Sequence, residues 1–178
     1  MTIEIITPSA KLEWSHLIEK VPEDSEYNPG KYDTQIWLPK TDKEFKKKLE
    51  NLMQEAIIEK WGASPPPKVT LAKILDGDVQ SYTNGDGEEI FPNKGMYGFR
   101  CGTKRRPVVV DETGSPLTDE SALGYTLRGN VKIHAYGWEH GKSRKGVSIG
   151  LDAVMLTDLG VSTSSGGIEG FEFQEASA

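Results

Sequence analysis

An alternating pattern over residues 125–156 constrains the fold more than any other feature of this chain. In residues 131–138 and again in 147–155, every second side chain is apolar or small. Because successive side chains of a strand point to opposite faces, each segment predicts a strand with one apolar face. The two strands adjoin in sequence, so together they predict a β-hairpin. Keeping both apolar sets on one side fixes the parity of the pairing.

The other face of this predicted hairpin is aromatic and cationic. Its first arm carries Lys132, His134, Tyr136 and Trp138. Every base has a π-face and every nucleotide has a phosphate, so rings beside cations are typical of sequence-tolerant single-strand binders. The same rings would also suit packing beneath a helix or a dimer interface, and the pattern alone leaves both alternatives open.

The turn of the hairpin predicts which residues face each other. A turn centred near Gly141 places Tyr136 opposite Gly146 and His134 opposite Ser148. Glycine and serine would leave space above the sheet that flat bases could occupy.

Cations at the predicted hairpin tip favour the nucleic-acid interpretation. Lys142, Arg144 and Lys145 lie in the loop that follows the aromatic residues. A phosphate backbone that crosses the sheet would pass beside this loop.

Residues 96–111 form a second candidate segment for binding nucleic acid. Tyr97 and Phe99 share a strand face and predict further stacking rings. Lys104, Arg105 and Arg106 form the densest cationic cluster in the chain. This cluster fits either phosphate contact or a solubilising edge strand.

Short strands flank one predicted helix. Thr41 and Glu44 form a capping box, an apolar stripe runs from Phe45 to Ile57, and Gly62 ends the helix. We therefore expect a mainly β fold over residues 1–160, an OB-fold-like five-stranded antiparallel barrel with one inserted α-helix. A two-sheet sandwich is the alternative. Residues 161–178 predict a flexible, disordered acidic tail.

Charge and cysteine content narrow the class of protein. The net charge is -6, but all 21 Lys and Arg lie at or before Lys145, while five of the 27 acidic residues follow it. The acidic excess therefore lies mostly after Lys145. No apolar run approaches the ~20 residues that cross a bilayer, and the amino terminus lacks the features of a secretory signal. A single cysteine, Cys101, fits a reducing cytoplasm.

Catalytic motifs in the chain lack their structural context. Residues 146–150 match the G-x-S-x-G pattern, but Ser148 lies inside a predicted strand and no histidine follows it. The three histidines and Cys101 show no spacing typical of zinc sites. We expect no enzyme activity, metal or cofactor, with a small hydrolase that uses Ser148 or a turn carboxylate as the rival interpretation.

Four segments give the chain a resemblance to a known family. They are Thr7-Pro8 leading into residues 12–16, Leu38-Pro39-Lys40, residues 106–111, and residues 129–151, which contain the hairpin. Over about residues 7–160 the chain resembles the phage single-stranded DNA-binding proteins of OB-fold type. The resemblance implies a protein that coats single strands without sequence preference. It also implies an acidic, aromatic tail that competes with DNA and docks replication or recombination proteins.

Together these observations predict a non-enzymatic binder that protects single-stranded DNA in phage replication, recombination or repair. A homodimer is a further expectation, as is a location in the host cytoplasm. The alternative is a β-domain for protein–protein interaction or virion assembly.

Overall fold

A ring of five strands forms the centre of the fold. The computed structural model describes residues 3–26 and 29–160, and the predicted tail lies outside the described residues. The strands are β1 (Glu4–Ile6), β2 (Ala10–His16), β3 (Tyr32–Pro39), β4 (Leu75–Asp76), β5 (Tyr82–Thr83), β6 (Glu89–Ile90), β7 (Met96–Thr103), β8 (Val108–Asp111), β9 (Leu127–His140) and β10 (Arg144–Asp158). The helical elements are α1 (Lys43–Trp61) and a 3-10 turn at Glu120–Ala122.

The order of strands in the ring is that of an OB-fold barrel. The strands β9, β2, β3, β7 and β10 pair in this sequence, and β10 pairs with β9 to close the ring. This confirms the predicted barrel and rules out the open sandwich. The pairing of β7 with β10 is parallel, whereas the other four ring pairings are antiparallel. A closed ring with an odd number of strands cannot be antiparallel throughout, so the fully antiparallel prediction needed this correction.

The long hairpin β9–β10 has the predicted parity up to Leu151 but a different register. Its odd-numbered apolar residues up to that point, including Ile133 and Ile149, are buried in the barrel core. A β-bulge after Leu151 reverses the parity, so Val154 and Leu156 are buried, and the prediction that Ala153 and Met155 lie on the apolar face was wrong. Tyr136 pairs with Ser148 and His134 pairs with Gly150, so the predicted register was wrong by two positions. The cause is the turn, which covers residues 141–143 and is therefore centred on Lys142, one residue later than predicted, with Gly141 at its first position at φ 69°.

Helix α1 covers the barrel core with its predicted apolar stripe. Its buried residues are Phe45, Leu49, Leu52, Met53 and Ala56. The helix begins one residue later than predicted, because the Asp42 carboxylate, and not Thr41, accepts a hydrogen bond of 3.0 Å from the Phe45 N–H. Gly62 ends the helix as predicted, with φ 70° and its N–H donated to the Ile58 carbonyl. Within residues 3–26 and 29–160, no helix combines the length and apolar character needed to cross a membrane.

Candidate nucleic-acid interface

Three rings follow one another along the outer face of β9. His134, Tyr136 and Trp138 point away from the barrel core, and each lies opposite a small residue of β10. A Cβ atom added to Gly150 would lie 2.2 Å from His134 Cε1, and one added to Gly146 would lie 2.4 Å from Trp138 Cζ2. The protein's own rings therefore cover these two glycines. The expectation that Gly146 leaves room for a base was wrong.

Trp138 is fixed against the sheet and is less accessible than Tyr136. Its indole N–H donates a 3.0 Å hydrogen bond to Ser148 Oγ, and the ring is half-buried. Helix α1 ends on the opposite face, where a Cβ on Gly137 would lie 2.8 Å from Lys60 Cβ. Neither ring packs beneath α1, so that alternative does not hold.

Tyr136 forms the wall of a surface groove, which we call the Tyr136 groove. The side chain is 40% exposed, and the groove has a volume of about 490 Å³. Residues from distant parts of the chain line it, among them Lys31, Gln35, Lys73, Arg100 and Ser148. The sequence interpretation missed its three cations, because β3, β7 and the segment before β4 meet only in the folded barrel.

Two acidic side chains, one of them buried, position two groups on this outer face. Asp33 is 1% exposed, and its carboxylate accepts a 2.9 Å hydrogen bond from Arg100 Nη2. The ion pair holds the Arg100 guanidinium at the groove. In the same way Asp152 contacts His134 Nδ1 at 2.9 Å, and the His134 ring lies 5.7 Å from the Tyr136 ring. Tyr136 is therefore supported from one side.

The predicted cations divide between several places. Lys142 and Arg144 are exposed at the hairpin tip, where Lys145 Nζ donates to the Lys142 carbonyl. The exposed Lys104, Arg105 and Arg106 lie in the loop that joins β7 to β8. This loop follows Gly102, which pairs with Gly150, six residues along β10 from Arg144. At about 3.3 Å per residue, the two clusters lie roughly 20 Å apart along β10.

Lys132 is not brought together with the other predicted site residues. It lines a separate groove between β1 and α1, beside Ile6 and Glu55. Lys132 pairs with Ile6 of β1, a strand that lies outside the five-strand ring and pairs with β9. It does not line the Tyr136 groove.

Tyr97 and Phe99 belong to the core, so the prediction that they stack on bases was wrong. They are 3% and 0% exposed, and the Phe99 ring stacks on Phe45 with centroids 6.5 Å apart. Burial raises the pKa of Tyr97 to about 12. Alternation along β7 turns Arg100 outward and these rings inward.

Ser148 has the surroundings of a strand residue. It lies in the middle of β10, with no sharp turn or following helix of the kind a nucleophile elbow needs. Its hydroxyl is the acceptor for the Trp138 indole N–H. In the part of the chain that the structure covers, no three His, Cys, Asp or Glu side chains form a cluster suited to a metal.

This architecture defines an OB-fold protein whose outer face combines an accessible ring with nearby cations, as single-strand binders do. The family model described as "Enterobacter phage Enc34, ssDNA-binding protein" matches residues 3–176. The chain belongs to this family of phage single-stranded DNA-binding proteins, which confirms the resemblance found in its sequence.

One relative is similar in sequence, and solved structures are similar in fold. The chain is 26% identical over 143 residues to "Putative protein p50" of Acyrthosiphon pisum secondary endosymbiont phage 1, covering 80% of this chain and 77% of that protein. The single-stranded DNA-binding protein of bacteriophage Enc34, solved in complex with ssDNA, superposes with a TM-score of 0.66 at 21% identity, covering 87% and 86% of the two chains. Bacteriophage T7 gp2.5, a single-stranded DNA binding protein, superposes with a TM-score of 0.59 at 19% identity. The match covers 93% of this chain and 97% of that chain. At these identities the two structures show a shared fold.

Proposed function

We propose that this protein binds single-stranded DNA without sequence preference, in the Tyr136 groove, and does no chemistry on it. The observation that carries the proposal is a ring 40% exposed in the wall of a groove that Lys31, Lys73 and Arg100 also line. Membership of the phage family supports single-stranded DNA as the ligand.

Some groove residues would contact the bases of the strand and others its phosphates. A base would stack on Tyr136, whose orientation is supported by His134 at 5.7 Å. Lys31 and Lys73 would neutralise phosphates, and Lys142 with Arg144 would extend this field at the hairpin tip. Arg100, whose charge is paired with Asp33, would line the path of the strand. Stacking and phosphate contacts are both independent of base identity, which explains tolerance of sequence.

Binding of this kind would coat and protect exposed strands during phage DNA replication, recombination or repair. We place this activity in the host cytoplasm. Homodimer formation and docking of replication proteins on residues 161–178 stay predictions, which sedimentation of the full chain and of a chain ending at residue 160 would test.

The test is a titration of labelled single-stranded and duplex oligonucleotides, followed by fluorescence anisotropy at several salt concentrations. If about four phosphates are neutralised, log K should fall against log salt with a slope of about -3 for the single strand. The duplex should bind more weakly, because its bases are not available for stacking.

A matched pair of lysine variants separates groove contacts from general charge. Lys73→Ala should lower affinity and reduce the slope by about 0.7, the share of one phosphate on a single strand. Lys47→Ala removes the same charge from the exposed surface of α1 and should change neither value. A flat salt response, or equal effects of the two variants, would contradict the proposal.

A further inference from the structure

Trp14 has the most unusual backbone conformation in the described part of the chain. Its φ is 52°, and no other non-glycine residue described there has a positive φ. The pairing of β2 with β3 shifts register between Glu13 and His16, so Trp14 lies in a β-bulge. Bulky side chains rarely adopt this conformation, and such strain is concentrated at functional positions. The indole is left 59% exposed.

Two tyrosines join Trp14 around one cleft, which we call the aromatic cleft. Tyr125 is 56% exposed, and its ring lies 5.3 Å from the Trp14 ring at 81°, an edge-to-face contact. Tyr82, from the small β5–β6 sheet, lines the same cleft and is 55% exposed. The cleft has a volume of about 780 Å³, and the indole of Trp37, 2% exposed, also borders it. Three large rings are thus left accessible around one concave surface.

The charges in the aromatic cleft are matched within the protein. Lys11 Nζ donates to Asn93 Oδ1 at 2.8 Å and lies 3.6 Å from the Glu13 carboxylate. Asn93 in turn donates to Glu13 at 2.9 Å. With its cation already engaged, the cleft offers rings and amide groups such as Gln80. This chemistry suits an uncharged flat base better than a phosphate.

The aromatic cleft and the Tyr136 groove adjoin on the outer surface of the barrel. Gln35 of β3 lines both of them, and its side chain accepts a 3.1 Å hydrogen bond from the Trp37 indole. A strand lying in the Tyr136 groove can therefore continue past Gln35 into the aromatic cleft.

We propose that the aromatic cleft is a second base-binding subsite on the same strand path, with Trp14 as its principal stacking surface. This inference rests on the proposed function and deepens it. The edge of Tyr125 would support the indole, and Tyr82 would border the base from the β5–β6 sheet. The β-bulge is what turns Trp14 toward the ligand.

The experiment measures the affinity of oligo-dT against its length, from about 4 to 16 nucleotides, the range that OB folds occupy. Trp14→Ala should leave the shortest ligands unaffected and weaken the longest by about tenfold to a hundredfold, the effect of one stacked base. Trp14→Phe should retain most of that affinity. Tyr136→Ala should weaken binding at every length.

Trp14→Gly separates a role in binding from a role in stability, because the two roles predict different effects on the unfolding temperature and on affinity. Glycine adopts positive φ without strain, so this variant should unfold at the same or a higher temperature than the wild type while losing affinity for long strands. Unchanged binding of Trp14→Ala and Trp14→Gly at every length, together with weakened binding of Tyr136→Ala, would overturn the subsite and leave the proposed function standing. Absence of wild-type binding to any single strand would instead refute the proposed function itself.

Discussion

Removing the Tyr136 ring is the most direct perturbation of the proposed groove. Stacking of a base on one aromatic ring contributes about 1–3 kcal/mol. Tyr136 is 40% exposed, with His134 on one side, so a base can cover only part of its surface. We therefore expect Tyr136→Ala to lose about 1–2 kcal/mol of binding free energy, which is about fivefold to thirtyfold in Kd.

The assay is anisotropy with a labelled oligo-dT at constant salt, accompanied by urea unfolding of each variant. Tyr136→Phe is the control, since it keeps the ring and removes only the hydroxyl, and it should bind within about twofold of the wild type. The unfolding free energy of Tyr136→Ala should change little, because the side chain lies on the surface. Wild-type affinity in Tyr136→Ala, or equal losses in both variants, would refute the stacking role.

Three further predictions concern the stability of the barrel and its helix. Asp42→Ala should lower the unfolding free energy by about 1 kcal/mol, measured by urea denaturation, because the Phe45 N–H loses its cap. Gly98→Ala should cost about 1–3 kcal/mol in the same assay, since the new Cβ would lie 2.6 Å from the buried Trp37 ring; an unchanged midpoint would contradict this. Burial raises the pKa of Tyr97 to about 12, so the folded state keeps a proton that the unfolded state loses near pH 10; stability should fall between pH 10 and 12, and less steeply in Tyr97→Phe.

Local periodicity in the sequence was enough to predict the main elements. The hairpin parity and the stripe of α1 each follow from one continuous segment, because alternation and the helical period depend only on neighbouring residues. The hairpin register depends instead on which residue lies at the centre of the turn. Gly141 opens a three-residue turn, which the sequence did not distinguish from one centred on Gly141 itself.

The site was harder to predict because it is assembled from distant segments. Alternation showed that Tyr97 and Phe99 share a face, but only the packing of Phe45 from α1 shows that this face is buried. Lys73 lies in a segment with no periodic pattern, and the tertiary fold brings it to the groove. Trp14 is exposed by a bulge in β2, which interrupts the alternation that sequence patterns detect.

Closure of the five-strand ring has a consequence for how the chain folds. The first ring strand, β2, must pair with β9, so Ala10 finds its partner at Gly129, far along the chain. Contacts between such distant segments form slowly, because a long loop must be ordered before they stabilise anything. During synthesis, the edge of β2 that pairs with β9 and the edge of β7 that pairs with β10 would stay exposed until the final hairpin leaves the ribosome, and this interval is when the nascent protein is most prone to aggregation.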